Sequence, residues 1–186
     1  MQLDAQKFLS LVEETNQIAF VDLEMTGTRG DYNSILVASI LPYKAKKPVT
    51  FATDRPGIDR KVALATKNEL EKYLCWVTYY GKGFDIPFLN TRLLRWKSLP
   101  VESRYHVDMY YVLKYNLLTA RRSQGHLLAW MKAPNQKMTV SAESWNEVIA
   151  CEPGKMDEMI KRCESDTQGL RNLYTETRHV IKDCKK

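Results

Sequence analysis

The sequence has 186 residues, 44% of them hydrophobic and 27% charged, and a formal net charge of +6. These values are typical of an ordinary globular protein, so we expect the whole chain, 1–186, to form a single domain. No stretch approaches the roughly 18–20 consecutive apolar residues of a membrane span, and the N-terminus lacks the pattern of a secretory signal. The four cysteines form no CxxC pair. We therefore expect free thiols in a cytoplasmic protein that has no membrane partner.

The first part of the chain predicts one helix followed by three strands. Residues 1–16 form a short amphipathic pattern that predicts an N-terminal helix, and its apolar side carries Leu3, Ala5, Phe8, Leu9 and Val12. Strands are predicted at 18–24, 34–41 and 49–53. A turn rich in Gly, Asp and Asn follows the first strand and a lysine-rich turn precedes the third, which favours a meander.

The remainder alternates between helical and strand patterns before it becomes helical throughout. We predict helices at 61–74 and 87–96, strands at 76–80 and 104–107, and helices from residue 109 onward, interrupted near residues 123, 134 and 153. The last helix is predicted to span 155–182. This order indicates an α/β fold in which a mixed sheet of about five strands is flanked by helices.

Two acidic residues lie near the end of the first predicted strand. Because side chains alternate in a strand, Asp22 and Glu24 lie on the same face. The strand is otherwise apolar on both faces, which is typical of a central, buried strand. Two carboxylates on one side of it repel each other unless a cation lies between them, and Mg²⁺ and Mn²⁺ accept such oxygen ligands. The alternative is that the strand ends here and both acids are solvated.

A third acid follows the strand predicted at 76–80. The segment from Gly81 to Pro87 predicts a glycine turn that leads into a helix, in whose first turn proline is tolerated. Asp85 is therefore a candidate N-cap or a partner of the helix dipole. Its position after a neighbouring strand also lets it face the same site as Asp22.

A fourth acid interrupts the apolar stripe of the last predicted helix. The stripe steps by three or four residues and consists of Met159, Cys163, Leu170, Leu173, Thr177 and Val180. Asp166 lies in this stripe, and an ionised carboxylate is rarely accepted on a core-facing position unless it is paired or bound to metal. We favour a metal ion as its partner, and a buried arginine is the alternative.

Between residues 92 and 137 the chain is both basic and aromatic. This stretch has nine Lys and Arg residues against two acids, and it includes Trp96, Tyr105, Tyr110, Tyr111, Tyr115 and Trp130. Cations bind phosphates and flat rings stack on bases, so such a surface suits a single-stranded nucleic acid. The alternative is a solvated basic face with the aromatic residues in the core.

These motifs, in this order, resemble those of a known family. The pair Asp22 and Glu24 with Thr26-Gly27, the segment Phe84 to Leu89 after Gly81, and Asp166 in a late helix are similar to the three exonuclease motifs of the DEDD superfamily. The likeness is to the proofreading domains of family B DNA polymerases and to stand-alone ribonuclease-H-like exonucleases. It implies a ribonuclease-H-like fold and a 3′–5′ exonuclease.

The resemblance also implies a role for each matched residue. Two divalent ions, Mg²⁺ or Mn²⁺, would be held by the four catalytic acids, Asp22, Glu24, Asp85 and Asp166. In that family Asp22 would bridge both ions. The backbone near Met25 and Thr26 would meet the terminal nucleotide, and Phe84 would pack beside it. The products would be nucleoside 5′-monophosphates.

The loop around Arg121 and Arg122 is a further candidate for substrate binding. We expect this loop to contact phosphates, and a solvated loop is the alternative. His126 is predicted in the same loop, where it could approach the site. We expect His106 and Asp108 to support the sheet or the substrate rather than the reaction.

Two positions depart from the family's pattern. Relatives carry a tyrosine four residues before the last aspartate, or a histidine five residues before it, and either residue handles the attacking water. These positions are Arg162 and Lys161 in this sequence, and an arginine cannot act as a general base near neutral pH. We include Arg162 among the candidate substrate contacts. Tyr80 replaces an asparagine that is frequent in relatives.

We therefore expect a metal-dependent 3′–5′ exonuclease that acts on single-stranded nucleic acid in DNA repair, with DNA favoured over RNA. The alternative is a catalytically weak or inactive nucleic-acid-binding module that retains the exonuclease fold. The missing Tyr or His of the third motif is the feature that favours this alternative.

Overall fold

A computed structural model describes residues 4–134 and 142–184, with residues 142–144 described by their backbone alone. In chain order the elements are α1 (Ala5–Glu14), β1 (Ile18–Met25), β2 (Ile35–Pro42), β3 (Val49–Ala52), α2 (Arg60–Leu70), β4 (Cys75–Thr78), α3 (Asp85–Arg95), β5 (Tyr105–Asp108), α4 (Met109–Asn116), α5 (Gln124–Trp130), α6 (Ala142–Ile149) and α7 (Lys155–Thr177). A 3₁₀ turn, Arg178–Val180, follows α7. Within these residues, no helix is both long and apolar enough to cross a bilayer.

The strands form one five-stranded mixed sheet in the order β3-β2-β1-β4-β5. The meander β1-β2-β3 is antiparallel, whereas β4 pairs in parallel with β1 and with β5. The predicted α/β class with a mixed sheet flanked by helices is thus confirmed. Because β1 is the central strand, residues at its end can meet side chains from both halves of the sheet.

Alternation along β1 sends its side chains into two separate cores. Phe20 packs against Tyr174 of α7, with ring centroids 5.4 Å apart. Val21 and Leu23 point the other way and pack with residues of α2 and α3. As predicted, β1 is therefore buried on both faces, and the face that carries Asp22 and Glu24 lies under α7.

The start of the first helix is fixed by a side-chain cap. The Asp4 carboxylate accepts the backbone N–H groups of Gln6 and Lys7 at 3.0 and 3.2 Å, so α1 begins at Ala5. The predicted apolar side is confirmed, because α1 buries Ala5, Phe8, Leu9 and Val12. Leu3, which we also expected on this side, lies outside the described residues.

Several predicted boundaries are wrong, each for a local reason. The second helix ends at Leu70 rather than at residue 74, and the Trp76 indole N–H donates to the Leu70 carbonyl at 2.9 Å. The strand predicted at 76–80 ends at Thr78, because Tyr80 adopts a left-handed φ of 66° that an extended strand does not allow. The last helix was predicted to end at residue 182 but ends at Thr177, because the chain forms a 3₁₀ turn at Arg178–Val180.

A buried ion pair fixes the loop that follows β1. Asp59 is fully buried and accepts two bonds from the Arg92 guanidinium, at 2.8 and 2.9 Å. It also accepts the Trp96 indole N–H and the backbone N–H of Ile35, each at 2.8 Å. Arg92 in turn donates to the carbonyl of Gly30 at 3.0 Å. We counted Arg92 and Trp96 in a nucleic-acid-binding stretch, but they serve instead to hold this loop.

Candidate active site

The end of β1 presents two carboxylates to the face covered by α7. Asp22 is half-buried and Glu24 is buried. The pairing of β1 with β2 shifts register between Glu24 and Met25. Such an irregularity bends a strand and re-aims the side chains beside it. The two acids therefore lie just before an irregularity in the pairing of the central strand.

A third carboxylate comes from α7. Asp166 is only 2% exposed, and its helix is held on the sheet by a 2.9 Å bond between the hydroxyls of Thr167 and Ser39. Carboxylate oxygens of Asp22, Glu24 and Asp166 all lie within 4.8 Å of one another. The structure thus brings together three of the four acids that we predicted as catalytic. We refer to these three residues as the acid cluster.

The acid cluster fits a divalent metal ion. Its donors are carboxylate oxygens alone, which Mg²⁺ and Mn²⁺ prefer, and two of the three residues are buried. Three negative charges this close repel one another strongly where water is excluded, so positive charge must compensate them. A buried arginine was our alternative partner for Asp166, and Arg162 does approach it, as described below.

The thiol of Cys163 supports Asp22 from the helix. Its sulfur lies 3.5 Å from Asp22 Oδ2 and 3.4 Å from the backbone carbonyl of the same residue. Burial and the nearby Asp22 carboxylate raise the pKa of Cys163 well above its usual value. The residue therefore remains a thiol and donates to Asp22. We had assigned Cys163 only to the apolar stripe, because sequence spacing does not reveal this contact.

Asp85 lies next to β1 but outside the acid cluster. It is the first residue of α3, not its N-cap as one of our alternatives proposed, and Phe84 is the capping residue. Its Oδ1 accepts the backbone N–H of Leu23 at 3.1 Å. Burial raises the pKa of Asp85 to about 7, and the negative charges of Asp108 and Glu24 contribute to this rise. Asp85 is therefore close enough to the acid cluster for the charge of Glu24 to affect its pKa.

Asp108 organises the turn that leads to Asp85. Its carboxylate accepts the backbone N–H groups of Tyr80, Lys82 and Tyr110 at 2.8, 2.9 and 3.1 Å. Within that turn, a Cβ at Gly81 would lie 2.5 Å from the Cβ of Thr78, so only glycine fits. The contacts of Asp108 agree with the supporting role that we expected for it.

None of the three histidines belongs to the acid cluster, and each lies in a different part of the fold. His106 is buried, and its Nε2 lies 2.8 Å from the Thr78 hydroxyl. Burial, with a smaller effect from Lys82, lowers the pKa of His106 to about 3. His126 does not lie in a loop, as we predicted, but in α5, which Ser123 caps. His179 is exposed on the turn that follows α7.

Arg162 lies beside the acid cluster. Its Nε is 2.7 Å from Glu24 Oε1 and 4.0 Å from Asp166 Oδ2. The guanidinium carbon lies 5.4 Å from the centre of the Trp145 ring of α6, a cation–π distance. Burial opposes the charged form of Arg162, but the carboxylates of Glu24, Asp166 and Asp22 raise its pKa above the ordinary value. Lys161, by contrast, is exposed.

A cavity of about 380 Å³ opens beside the acid cluster. Its lining includes Met25, Thr26 and Phe84, which we predicted to meet the terminal nucleotide. Glu24 also lines it, and Trp145 of α6 forms part of another wall. A volume of this size is typical of small-ligand sites. The sequence did not indicate that Trp145 would line this cavity, because α6 reaches the wall only through tertiary packing.

Arg121 and Arg122 are both exposed in the loop before α5. This loop is attached at two points. The hydroxyl of Tyr79 donates to the Arg122 carbonyl, and the side-chain amide of Gln124 donates to the Asp166 carbonyl at 2.8 Å. The predicted basic loop is therefore tied to the helix that carries the third acid.

A group of tyrosines lies just after β4 and along α4. The Tyr110 ring is 5.0 Å from that of Tyr80 and 5.2 Å from that of Tyr111. Tyr80 is 44% exposed and Tyr115 is 75% exposed, and Lys114 Nζ lies 5.4 Å from the Tyr115 ring. We call Tyr80, Tyr110, Tyr111 and Tyr115 the tyrosine surface. Of the predicted aromatic stretch, Tyr110, Tyr111 and Tyr115 belong to this surface and Trp130 is also exposed, whereas Tyr105 packs on Phe8.

Comparisons with known proteins identify the fold. The model of the RNase_H superfamily matches residues 19–177. Among solved structures, the family B DNA polymerase from the hyperthermophilic archaeon Pyrobaculum calidifontis matches with a TM-score of 0.64 and 15% sequence identity. The match covers 85% of this chain and 24% of the polymerase, so the chain corresponds to about a quarter of that protein. No curated protein matches the sequence significantly.

Proposed function

We propose that this chain, which belongs to the RNase H superfamily, is a metal-dependent nuclease that removes nucleotides from the 3′ end of a single strand. The observation that carries this proposal is the acid cluster, where an Asp-x-Glu pair on the central strand meets an aspartate of α7 within 4.8 Å. The similarity to a family B DNA polymerase supports the fold of such a nuclease. The reaction itself is inferred from the residues.

Each acid has a distinct part in the proposed reaction. Asp22, Glu24 and Asp166 would hold the divalent metal, and Asp85 would add a carboxylate beside them. Metal bound there would activate water and offset negative charge on the phosphate that is attacked. Cys163 keeps Asp22 in place through its thiol, and Gln124 anchors the backbone of Asp166.

The adjoining cavity is the proposed site of the terminal nucleotide. The backbone at Met25 and Thr26 and the ring of Phe84 line it, next to Glu24. A terminal nucleotide in this cavity places its phosphodiester beside the acid cluster.

The surroundings favour a single strand over a duplex. The tyrosine surface and the loop with Arg121 and Arg122 adjoin the elements that carry the acids. Exposed rings can stack only on bases that are unpaired, and cations bind the backbone phosphates. DNA is proposed ahead of RNA because the motifs resemble those of DNA polymerase proofreading domains.

We further propose a cytoplasmic location. The four cysteines are free, and three of them are buried. Free thiols are the rule in a reducing compartment. Fractionation of cells that produce a tagged form of the protein tests this assignment.

A second candidate is a binding module with little or no catalytic activity. Arg162 favours it, because this residue occupies the place of the usual tyrosine and its guanidinium bonds to Glu24 at 2.7 Å. A module of this kind binds single strands in the presence of a chelator and does not turn them over in the presence of metal. The two candidates therefore differ in turnover, not in binding.

A 5′-labelled single strand incubated with Mg²⁺ or Mn²⁺ tests the proposal. We expect a ladder of products shortened from the 3′ end, and no products from a strand whose 3′ end is blocked. Asp166→Asn should lower turnover by at least about a hundredfold and leave binding in chelator nearly unchanged, because it removes a metal ligand rather than a phosphate contact. Failure to form a ladder with either metal between pH 6 and 9, together with retained binding, selects the second candidate.

A further inference from the structure

A second cavity, of about 900 Å³, lies next to the cavity that we propose for the terminal nucleotide. Thr26 and Ile149 line both cavities, so the two adjoin each other. The two cavities lie at different ends of α3. Phe84, which precedes this helix, lines the terminal-nucleotide cavity, whereas Thr91 and Trp96, near its end, line the second one. We call the second one the distal cavity.

The tyrosine surface adjoins the other end of α3. A Cβ at Gly83, just before this helix, would lie 2.9 Å from the Tyr80 ring. Because α3 has 11 residues, it is about 16 Å long, and the distal cavity lies at its C-terminal end. A strand that reaches the acid cluster over the tyrosine surface therefore ends before the distal cavity. This cavity is left for a different ligand.

The floor of the distal cavity is fixed by groups that are already bonded. Arg92 is buried there and donates to Asp59 at 2.8 and 2.9 Å and to the Gly30 carbonyl at 3.0 Å. Trp96 donates its indole N–H to the same Asp59 at 2.8 Å. A Cβ at Gly30 would lie 2.9 Å from the Cβ of Thr91, so glycine lets this loop contact α3 directly. The binding of a ligand therefore depends on the residues around this floor.

Two arginines supply positive charge around the floor. Arg55 and Arg95 are both exposed and line the distal cavity, and the Arg95 guanidinium carbon lies 6.0 Å from the centre of the Trp96 ring. Among the described residues, neither arginine forms an ion pair. Asp31 is the one acid among the lining residues. Guanidinium groups bind phosphate oxygens well, so the distal cavity suits a phosphate.

An aromatic ring completes the set of groups around the distal cavity. Tyr32 lines it and is 88% exposed, and its ring packs on no other ring among the described residues. Its backbone is held, because the Tyr32 N–H donates to the Arg29 carbonyl at 3.1 Å. An exposed ring offers a face on which a base stacks. Cations for a phosphate and a ring for a base together match a nucleotide.

We propose that the distal cavity is a product site that binds the released nucleoside 5′-monophosphate, with its phosphate at Arg55 and Arg95 and its base against Tyr32. This inference rests on the proposed function, because that reaction supplies the nucleotide. Water adds to the phosphorus as the bond to the strand's 3′ oxygen breaks, so the strand keeps a 3′-hydroxyl and the nucleotide leaves with a 5′-phosphate. This phosphate monoester carries a charge of about −1.5 to −2, more than a phosphodiester, and the two arginines therefore favour the product.

Calorimetric titration with 2′-deoxyadenosine 5′-monophosphate tests the inference. The full-length protein is first saturated with a single strand in chelator, so that the terminal-nucleotide cavity is filled and no cleavage occurs. Arg55→Gln combined with Arg95→Gln should bind the monophosphate at least about tenfold more weakly than the wild type, because two charge-assisted contacts are lost. Tyr32→Ala should bind it at least about fivefold more weakly, because a stacking ring is lost.

The controls separate a local effect from a general change in charge. Lys46→Gln combined with Lys47→Gln removes two charges from the exposed turn between β2 and β3 and should bind the monophosphate as the wild type does. Arg55→Lys combined with Arg95→Lys keeps both charges and should retain most of the binding, which preserves the test if the glutamine variant does not fold. Tyr32→Phe keeps the ring and should bind normally.

Two results would contradict the inference and leave the proposed nuclease standing. The first is equal affinity of the wild type and the double glutamine variant for the monophosphate. The second is a loss of single-strand binding in that variant beyond the loss in the double lysine control, because the cavity would then hold part of the strand. Absence of turnover by the wild type with Mg²⁺ or Mn²⁺ would overturn the proposed function, and the product site with it.

Discussion

The side-chain amide of Gln124 donates to the backbone carbonyl of Asp166 at 2.8 Å. This bond joins the start of α5 to the helix that carries the third acid, although the two residues lie 42 positions apart. Because Gln124 directly follows the loop with Arg121 and Arg122, the bond keeps that basic loop near the acid cluster. The hydroxyl of Tyr79 attaches the same loop from the other side.

The first prediction concerns this loop. Changing Arg121 and Arg122 together to alanine should weaken binding of a single strand, because two cations that reach phosphates are lost. A plot of the logarithm of the association constant against the logarithm of the salt concentration has a negative slope. The variant should make this slope shallower by about 1.4 at most, since each phosphate contact on a single strand contributes about 0.7. Fluorescence anisotropy in chelator, over a series of salt concentrations, measures the slope.

The matched control for that variant changes Arg60 and Lys61 to alanine. This is also a pair of adjacent exposed cations, but it lies on α2, on the opposite side of the sheet from α7. It should leave the slope unchanged. Equal losses in both double variants would mean that only net charge matters and that the loop is not a contact site.

The second prediction concerns the tyrosine surface. Tyr80→Ala and Tyr115→Ala should each weaken binding of a single-stranded oligonucleotide by about 1–3 kcal/mol, because each removes a ring on which a base stacks. Tyr80→Phe and Tyr115→Phe keep the ring and should bind as the wild type does. Since Tyr80 has a φ of 66°, its Ala and Phe variants share the same backbone strain, and their comparison reports stacking alone. Alanine and phenylalanine variants of equal affinity would exclude a stacking role.

The sheet and the acid cluster could be predicted because both follow from the periodic spacing of apolar residues within single strands and helices. Alternation of apolar residues identifies β1 as a central strand, and its period places Asp22 and Glu24 on one face. A helical period places Asp166 on the buried side of α7. Once β1 is central and α7 covers it, the three acids must lie close together, as they do within 4.8 Å.

The pairs that complete the site could not be predicted, because they join positions far apart in the chain. Glu24 and Arg162 are 138 positions apart, and Asp59 and Arg92 are 33 apart. A charged residue on a helix gives the same pattern whether it faces water or a distant carboxylate. Arg92 was for this reason counted with the cations of the basic stretch, although it is buried against Asp59.

The third prediction concerns the ion pair of Asp59 and Arg92. Asp59→Asn should destabilise the protein by about 3–5 kcal/mol, because it leaves the buried Arg92 charge without its anion. Asp54→Asn is the control, since Asp54 pairs with Lys61 on the surface, where both side chains are exposed. That change should cost about 0–1 kcal/mol. Urea denaturation measures both, and a similar midpoint for the two variants would show that the buried pair does not hold the fold.

The fourth prediction concerns the stability of the protein at acidic pH. Because the pKa of His106 is lowered to about 3, the unfolded chain binds a proton at this residue between about pH 6.5 and 3 while the folded chain does not. The stability contributed by His106 is therefore complete above pH 6.5 and is lost as the pH falls towards 3. At pH 5 the loss should be about 2 kcal/mol.

His106→Gln removes this titration and keeps a polar group near the Thr78 hydroxyl. The free energy of unfolding of the wild type should fall relative to that of the variant as the pH decreases from 7 to 5. Denaturation curves of both proteins at several pH values give the difference. A difference that does not change with pH would show that His106 is not held neutral by burial.

The central claim is that Asp22, Glu24 and Asp166 form a divalent metal centre. Anomalous diffraction from crystals soaked in Mn²⁺ tests it most directly, because the ion is located among named atoms. We expect Mn²⁺ density bounded by these three carboxylates. Soaked crystals that bind Mn²⁺ at other places and show no peak among the three acids would contradict the claim.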